Sequence, residues 1–219
     1  MRFYSAAQLN RSVRFFCDIE FMPLDVLILA AGAARRFGGN KLLALWQGRP
    51  LLAYILEKSA LLGADSINLV TGAYAPELED FLRKEGYLNT LDRPAVKQLF
   101  YSDWQLGMGN SLAFGVVHLP PQNAVLILLA DQPLIAPADL QKMLVLGRQN
   151  PAKIVCAEFS GTRGVPALFP SKYKNQLRLL SGDRGAKALL SAKDVVTLPL
   201  ANAAIDIDLP SDLALLPNQ

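Results

Sequence analysis

Two uninterrupted apolar runs of strand length constrain the fold of this chain more than any other feature. They are VLILA at residues 26–30 and AVLILLA at residues 124–130. Such runs are typical of strands that are buried on both faces, as in a parallel sheet with helices on each side. Further candidate strands at 66–71, 96–101 and 153–158 alternate with segments of helical spacing. We therefore predict an α/β fold with a mainly parallel, twisted sheet flanked by helices.

The last third of the chain carries weaker patterns. An extended segment is predicted at 166–169, short strands at 195–198 and 204–207, and a closing helix at 209–216. These elements continue the alternation of strands and helices, and no internal repeat or linker interrupts it.

Composition and charge exclude several classes of protein. Hydrophobic residues make up 52% of the 219 residues, enough for a large core, and the net charge is +3. The chain has no dense basic block for nucleic acid and no apolar run near the roughly 18 residues of a membrane span. Its two cysteines give no disulfide framework, which favours the cytoplasm. We predict one folded domain at 23–217, preceded by a poorly ordered extension at 1–22.

A glycine-rich loop with three cations follows the first predicted strand. The stretch AAGAARRFGGNK occupies residues 30–41. Its glycines allow the backbone to approach a ligand, and its successive N–H groups can form a concavity for an anion. Arg36 and Lys41 can add charge-assisted hydrogen bonds to phosphate oxygens. The spacing matches neither common phosphate-loop motif, so a solvated basic connection is the alternative interpretation.

Carboxylates follow two of the predicted strands. Asp131 comes directly after the run at 124–130, and ligands of open α/β sheets bind beyond the carboxyl ends of strands. Asp206 and Asp208 are two residues apart, so in a strand both would point to one face and to one ion. Mg²⁺ prefers such oxygen ligands together with substrate phosphates. The alternatives are a helix-capping or turn role for Asp131 and a helix-capping role for Asp208.

Five segments in order resemble the nucleotidyltransferases of the molybdenum cofactor guanylyl- and cytidylyltransferase group. They are LAAGAARRFGGNK (29–41), SDWQLGMGNSL (102–112), LADQP (129–133), GTRGVPALF (161–169) with SGDRGAK (181–187), and DIDLPSDL (206–213). Ala31 before Gly32 is similar to the cytidylyltransferase branch. Ala34 departs from the small polar residue that is frequent in the group, and Leu209 departs from a frequent Thr.

The resemblance implies a GT-A-like, Rossmann-like fold of the nucleotide-diphospho-sugar transferase type. It also implies transfer of CMP from CTP to the phosphate of molybdopterin, with Mg²⁺ as the cofactor, Mn²⁺ as its substitute and pyrophosphate as the second product. The implied partners are CTP or another nucleoside triphosphate, a molybdopterin-type acceptor, and a molybdoenzyme or its chaperone. Neither nucleic acid nor a membrane is among them.

The resemblance assigns roles to residues by position. The implied catalytic residues are Arg36, Lys41 and Asp131. The implied nucleotide-binding residues are Leu29, Ala30, Ala31, Gly32, Arg36, Lys41, Gly109 and Asp131. The implied acceptor-binding residues are Trp104, Met108, Asn110, Ser111, Arg163, Gly164, Pro166 and Asp183. The implied metal ligands are Asp131, Asp206 and Asp208.

Two other functions stay open. A nucleotidyltransferase of the same fold that acts on a sugar phosphate or polyol phosphate would share the loop and Asp131. A non-catalytic chaperone for the cofactor of a molybdoenzyme would lack the metal carboxylate or the phosphate-binding cations. Because Asp131, Arg36 and Lys41 are all present, the sequence favours an enzyme.

Overall fold

Strands and helices alternate along residues 22–88 and 94–217, which the computed structural model describes. The strands are β1 (Leu24–Ala30), β2 (Leu45–Trp46), β3 (Arg49–Pro50), β4 (Ser66–Thr71), β5 (Val96–Phe100), β6 (Ala124–Leu129), β7 (Ile154–Phe159), β8 (Thr162–Phe169) and β9 (Val195–Pro199). The α-helices are α1 (Leu51–Ala60), α2 (Ala75–Lys84), α3 (Met108–Val117), α4 (Pro137–Gln149), α5 (Lys174–Leu177) and α6 (Lys187–Leu190). Short 3-10 helices cover Lys41–Leu43, Trp104–Leu106, Ser171–Tyr173, Ala201–Ala204 and Pro210–Leu215.

The main sheet of the described residues has the strand order β5-β4-β1-β6-β8-β7-β9. β1 pairs in parallel with β4 and β6, and β7 pairs in parallel with β9. β8 runs antiparallel to both of its neighbours, β6 and β7. The prediction of a mainly parallel sheet is therefore confirmed, with β8 as the reversed strand.

Both faces of the sheet are covered by helices, as the continuous apolar runs predict. Adjacent residues of β1 alternate between the faces, since Ile28 joins a cluster with α1, α2 and α4, whereas Leu27 joins one with α3, α5 and α6. Both side chains are fully buried. Burial on both faces fixes the direction of β1, so the residues that follow it are held at the carboxyl edge of the sheet.

The last third of the chain departs from the predictions in three places. The extended segment at 166–169 is the end of the longer strand Thr162–Phe169. The strand predicted at 204–207 is wrong, because a 3-10 helix ends at Ala204 and irregular chain follows. The helix predicted at 209–216 is a 3-10 helix, Pro210–Leu215. The strand predicted at 195–198 is confirmed as β9.

The segment around Ile207 is held by individual contacts rather than by the regular backbone hydrogen bonds of a β-strand. Its backbone N–H donates to the carbonyl of Asp131 at 3.2 Å, and its fully buried side chain packs with Trp46 and Leu51. This segment is anchored to the edge of the sheet rather than added to it.

The predicted extension at 1–22 lies outside the described residues except for Met22, which packs against the core. The single domain at 23–217 stays a prediction. Among the described helices, none has the length and apolar character that crossing a membrane would require.

Candidate active site

A cleft of about 540 Å³ opens at the carboxyl ends of β1 and β6. One wall is the glycine-rich loop after β1, and the opposite wall carries Trp104 and Met108. The floor includes Asp131, which directly follows β6. The two loops that sequence analysis placed at this edge thus face each other across one cavity.

The cleft gathers twelve of the residues that the resemblance implies. Those that line it are Leu29, Ala30, Ala31, Gly32, Arg36, Lys41, Trp104, Met108, Ser111, Asp131, Asp183 and Asp208. The implied residues that are not among its lining are Gly109, Asn110, Arg163, Gly164, Pro166 and Asp206.

The glycine-rich loop is folded by its own backbone. The carbonyl of Ala34 accepts hydrogen bonds from the N–H groups of Phe37 (2.9 Å) and Gly38 (3.2 Å). Ala34 itself has a positive φ of 46°, in the left-handed region that alanine seldom adopts. This turn brings the chain back to Lys41 beside the end of the sheet, and it sets Arg36 at the mouth of the cleft.

Lys41 is the centre of charge in the cleft. Its ammonium donates to Asp131 Oδ2 at 2.6 Å, to Asp208 Oδ1 at 3.3 Å and to the backbone carbonyl of Ile207 at 2.7 Å. The side chain is 13% exposed, and that of Asp131 is 20% exposed. The three donors of the ammonium are therefore all used on one side of the cleft.

Asp208 is shared between two cations. Its carboxylate accepts a hydrogen bond from Lys41 and another from Arg36 Nη2 at 2.7 Å. The Arg36 side chain is 73% exposed. The capping role proposed as the alternative for Asp208 belongs to Asp212, which accepts from the N–H groups of Asp208 (2.9 Å) and Leu209 (2.8 Å). These two hydrogen bonds lower the pKa of Asp212, and the one from Leu209 has the larger effect.

Asp206 has a different environment from Asp208. Its Oδ1 accepts from Nε2 of the buried Gln132 at 3.0 Å. Although much of the residue is exposed, partial enclosure of the carboxyl raises the pKa of Asp206, and the charge of Asp131 raises it further. Since the segment is not a strand, the alternation that predicted a shared face for Asp206 and Asp208 does not apply to it.

The carboxylates that meet at one point are Asp131 and Asp208. Both contact the same ammonium, so both are within reach of one ion at that place. Among the described residues, no group of three or more His, Cys, Asp and Glu side chains is arranged to hold a metal. Two carboxylates do fit Mg²⁺, which commonly takes its other ligands from water and substrate phosphates.

The wall opposite the basic loop is built from two segments that pack backbone against backbone. The N–H of Gly109 donates to the carbonyl of Gly182 at 2.7 Å, and the N–H of Gly182 donates to Asn110 Oδ1 at 2.7 Å. A Cβ on Gly107 would lie 2.5 Å from Asp183 Oδ1. Gly109 and Asn110 thus hold the segment that carries Asp183 into the cleft.

Three implied acceptor residues lie on β8, outside the cleft lining. Arg163 donates to the backbone carbonyls of Leu190 (3.0 Å) and Ala192 (3.1 Å), which ties β8 to the end of α6. Gly164 faces the ring of Phe159, which a Cβ would approach to 2.8 Å. Pro166 is buried in the sheet. These contacts support the fold beneath the site.

Sequence reasoning missed Tyr74 and Asn40, which line the cleft. The Tyr74 hydroxyl donates to the carbonyl of Ala33 at 3.1 Å and closes the side of the basic loop. Both polar atoms of the Asn40 side chain are buried and have no hydrogen-bond partner among the described residues. Tyr74 follows β4, and the rule that loops after parallel strands meet at one edge would have identified it.

The single histidine and the described cysteine take no part in this site. His118 directly follows α3, with Nδ1 2.8 Å from the carbonyl oxygen of Phe114. Cys156 is fully buried in β7, and burial raises the pKa of its thiol to about 11. A protonated, enclosed thiol is a poor nucleophile.

Comparison with curated proteins finds relatives longer than this chain. The bifunctional protein GlmU of Coxiella burnetii is 27% identical over 188 residues, which cover 85% of this chain and 39% of GlmU. The GlmU of Cellvibrio japonicus is 32% identical over 123 residues, or 55% of this chain and 25% of GlmU. The chain therefore spans less than half the length of these relatives.

Solved structures share the fold. Rv0371c of Mycobacterium tuberculosis gives a TM-score of 0.72 at 23% identity, covering 89% of this chain and 97% of Rv0371c. A structure of Rv0371c complexed with manganese gives 0.70 at the same identity, covering 89% and 98%. CMP:2-keto-3-deoxy-manno-octonic acid synthetase complexed with CTP gives 0.69 at 14% identity, covering 88% and 96%.

These likenesses confirm the predicted fold class. At such identities they carry the fold alone, and the family follows from a separate match along the sequence. Residues 26–196, which are most of the chain and include the basic loop and Asp131, match the family described as the MobA-like NTP transferase domain. The chain belongs to the MobA-like NTP transferase domain family.

Proposed function

We propose that the chain transfers CMP from CTP to the phosphate of a molybdopterin-type acceptor, with Mg²⁺ and with release of pyrophosphate. The observation that carries the proposal is the arrangement of the cleft. A basic, glycine-rich loop faces two carboxylates that converge on Lys41, and a second wall with Trp104 and Met108 leaves room for an acceptor.

The basic loop would bind the triphosphate. Arg36 is exposed at the cleft mouth, and Lys41 lies at its floor, so the two cations can contact different phosphates. The unpartnered side chain of Asn40 adds a donor and an acceptor that a nucleotide can satisfy. Asp131 and Asp208 would hold Mg²⁺, which would supply charge neutralisation for the phosphates.

The transfer itself asks little covalent chemistry of the protein. An oxygen of the acceptor phosphate forms a bond to the α-phosphorus of CTP, and the bond from that phosphorus to the pyrophosphate oxygen breaks. The attacking oxygen is already anionic, so no general base is required. Arg36 and Lys41 would stabilise the charge that develops on the leaving pyrophosphate.

The choice of CTP rests on Ala31, which is similar to the cytidylyltransferase branch of the resembling group. The acceptor rests on the resemblance of the segments at 102–112 and 181–187. Transfer to a sugar phosphate is the second candidate, because the basic loop and Asp131 would serve it equally well. A cytoplasmic location and a molybdoenzyme partner stay predictions.

A substrate panel tests the proposal. Pyrophosphate release is measured with CTP, GTP and UTP, each with molybdopterin or with a sugar phosphate, and an Asp131→Asn preparation sets the background. We expect the fastest turnover with CTP and molybdopterin. Equal or faster turnover on a sugar phosphate would contradict molybdopterin as the acceptor. Faster turnover with GTP than with CTP would contradict CTP as the nucleotide.

A further inference from the structure

Lys41 has the surroundings of a bound cation rather than those of a free phosphate-binding side chain. Its ammonium contacts two carboxylate oxygens and one backbone carbonyl oxygen, at 2.6, 3.3 and 2.7 Å. Carboxylate and carbonyl oxygens are also the ligands that Mg²⁺ and Mn²⁺ take in proteins. The lysine therefore uses the oxygens that the proposed function assigns to a metal ion.

The local charge shows why a cation is needed there. Asp131 and Asp208 face one place, and Asp206 lies close enough for the charge of Asp131 to act on it. Arg36 reaches Asp208 alone and is largely exposed, so water screens that pair. Without Lys41, the carboxylate of Asp131 would keep no ion-pair partner among the described residues.

We propose that the Lys41 ammonium is the resident cation of the carboxylate pair, and that it competes with a divalent ion for Asp131 and Asp208. The metal ion belongs to the proposed function, and so does the triphosphate that would give the displaced ammonium a new anionic partner. The competition itself is a property of the nucleotide-free protein. It makes the metal site weak until the nucleotide arrives.

Mn²⁺ binding without nucleotide tests the competition. Isothermal titration calorimetry compares the wild type with Lys41→Met, with Lys41→Met combined with Asp131→Asn, and with Lys142→Met as the matched cation control. We expect Lys41→Met to bind Mn²⁺ roughly tenfold or more tightly than the wild type, because charge-assisted hydrogen bonds no longer compete. The double variant loses this gain, and Lys142→Met changes the affinity by less than about threefold, because Lys142 is 64% exposed and pairs with Asp139 on α4, outside the cleft lining.

A Lys41→Met protein that binds Mn²⁺ no more tightly than the wild type overturns the proposal, and so does a gain that survives Asp131→Asn. Circular dichroism verifies the fold of each variant. If Lys41→Met does not fold, Lys41→Gln replaces it, and Mn²⁺ alone is expected to raise the Tm of Lys41→Gln more than that of the wild type. An equal shift would again overturn the competition.

The outcome is separable from the proposed function. The titration contains neither nucleotide nor acceptor, so tighter binding in Lys41→Met establishes the competition even if no transfer is seen in the substrate panel. Conversely, transfer with an unchanged Mn²⁺ affinity in Lys41→Met leaves the function standing and removes the role of Lys41 as resident cation.

Discussion

The two walls of the cleft are held by different forces. On the nucleotide side, Lys41, Asp131 and Asp208 meet through ion pairs between side chains. On the acceptor side, Gly109 and Gly182 meet through backbone contact. Charged groups can exchange partners when a ligand arrives, whereas a close backbone contact sets the shape of the wall in advance. The nucleotide side, here called the charged wall, can therefore adapt to its ligand. The acceptor side, here called the preformed wall, has its shape before a ligand binds.

The largest expected effect is on the nucleotide side. Asp131→Asn removes the charge that both Lys41 and the proposed Mg²⁺ use, and we expect pyrophosphate release to fall by ~10³-fold, as for other preorganised electrostatic groups. Asparagine has nearly the size of aspartate, and the substitution keeps the backbone carbonyl that accepts from Ile207, so the thermal unfolding curve should stay cooperative.

Asp139→Asn is the matched control, since Asp139 forms a pair with Lys142 on α4 in which the lysine is 64% exposed. That variant should keep its activity. Substantial activity in Asp131→Asn would show that the proposed ion is held elsewhere.

The second prediction concerns the preformed wall. A Cβ at Gly109 would lie 2.7 Å from the carbonyl oxygen of Ser181, so Gly109→Ala must push the 181–183 segment outward. We expect the KM for the acceptor to rise about tenfold, since small displacements of positioning groups cost large factors. The KM for CTP should change little.

Gly39→Ala is the matched control for Gly109→Ala. A Cβ on Gly39 would have no atom within 4 Å, and the residue has no positive φ, so alanine fits there. Steady-state kinetics with each substrate varied in turn separates the two KM values. Equal rises in both would show that the two walls are coupled rather than independent.

The charged wall could be predicted from the chemistry and position of its residues, whereas the residues of the preformed wall followed from the family resemblance alone. Asp131 and Lys41 were identified because charge next to a buried strand is conspicuous and because the carboxyl ends of parallel strands share one edge. The structural roles of Asn110 and Arg163 depend on which backbone groups dock against them from residues 72 and 27 positions away. Such long-range contacts leave no local pattern in composition or spacing.

Asp206 illustrates the same limit on the charged side. The spacing of Asp206 and Asp208 suggested a shared face, which holds in a strand. The segment around Ile207 is instead irregular, and the N–H of Ile207 donates to the backbone carbonyl of Asp131. Asp206 then accepts from Gln132, whereas Asp208 accepts from Arg36. A short strand at a sheet edge is therefore weaker ground for a site prediction than a long buried one.

The third prediction tests Asn110 as a positioning residue of the preformed wall. Asn110→Ala removes the side-chain oxygen that accepts the 2.7 Å hydrogen bond from the Gly182 N–H. Loss of that hydrogen bond costs about 1 kcal/mol, so we expect roughly a fivefold rise in the KM for the acceptor substrate. Asn110→Asp keeps an oxygen at that place and should restore most of the affinity. A residue that contacts the acceptor through its amide nitrogen would give the opposite result, with both variants equally impaired.

The smallest expected effect returns to the nucleotide wall and acts on stability. Both polar atoms of the Asn40 side chain are buried without a partner among the described residues, and such groups cost about 1–3 kcal/mol. Asn40→Leu should therefore raise the free energy of unfolding of the nucleotide-free protein by about 1 kcal/mol, measured by urea denaturation. The same change should raise the KM for CTP several-fold, because the nucleotide loses the donor and acceptor that Asn40 offers.

A gain in stability with unchanged CTP binding would mean that Asn40 is a defect of packing. Opposite effects on stability and binding would mark the nucleotide wall as built for a ligand at the expense of its own stability, in contrast to the backbone-paired wall across the cleft.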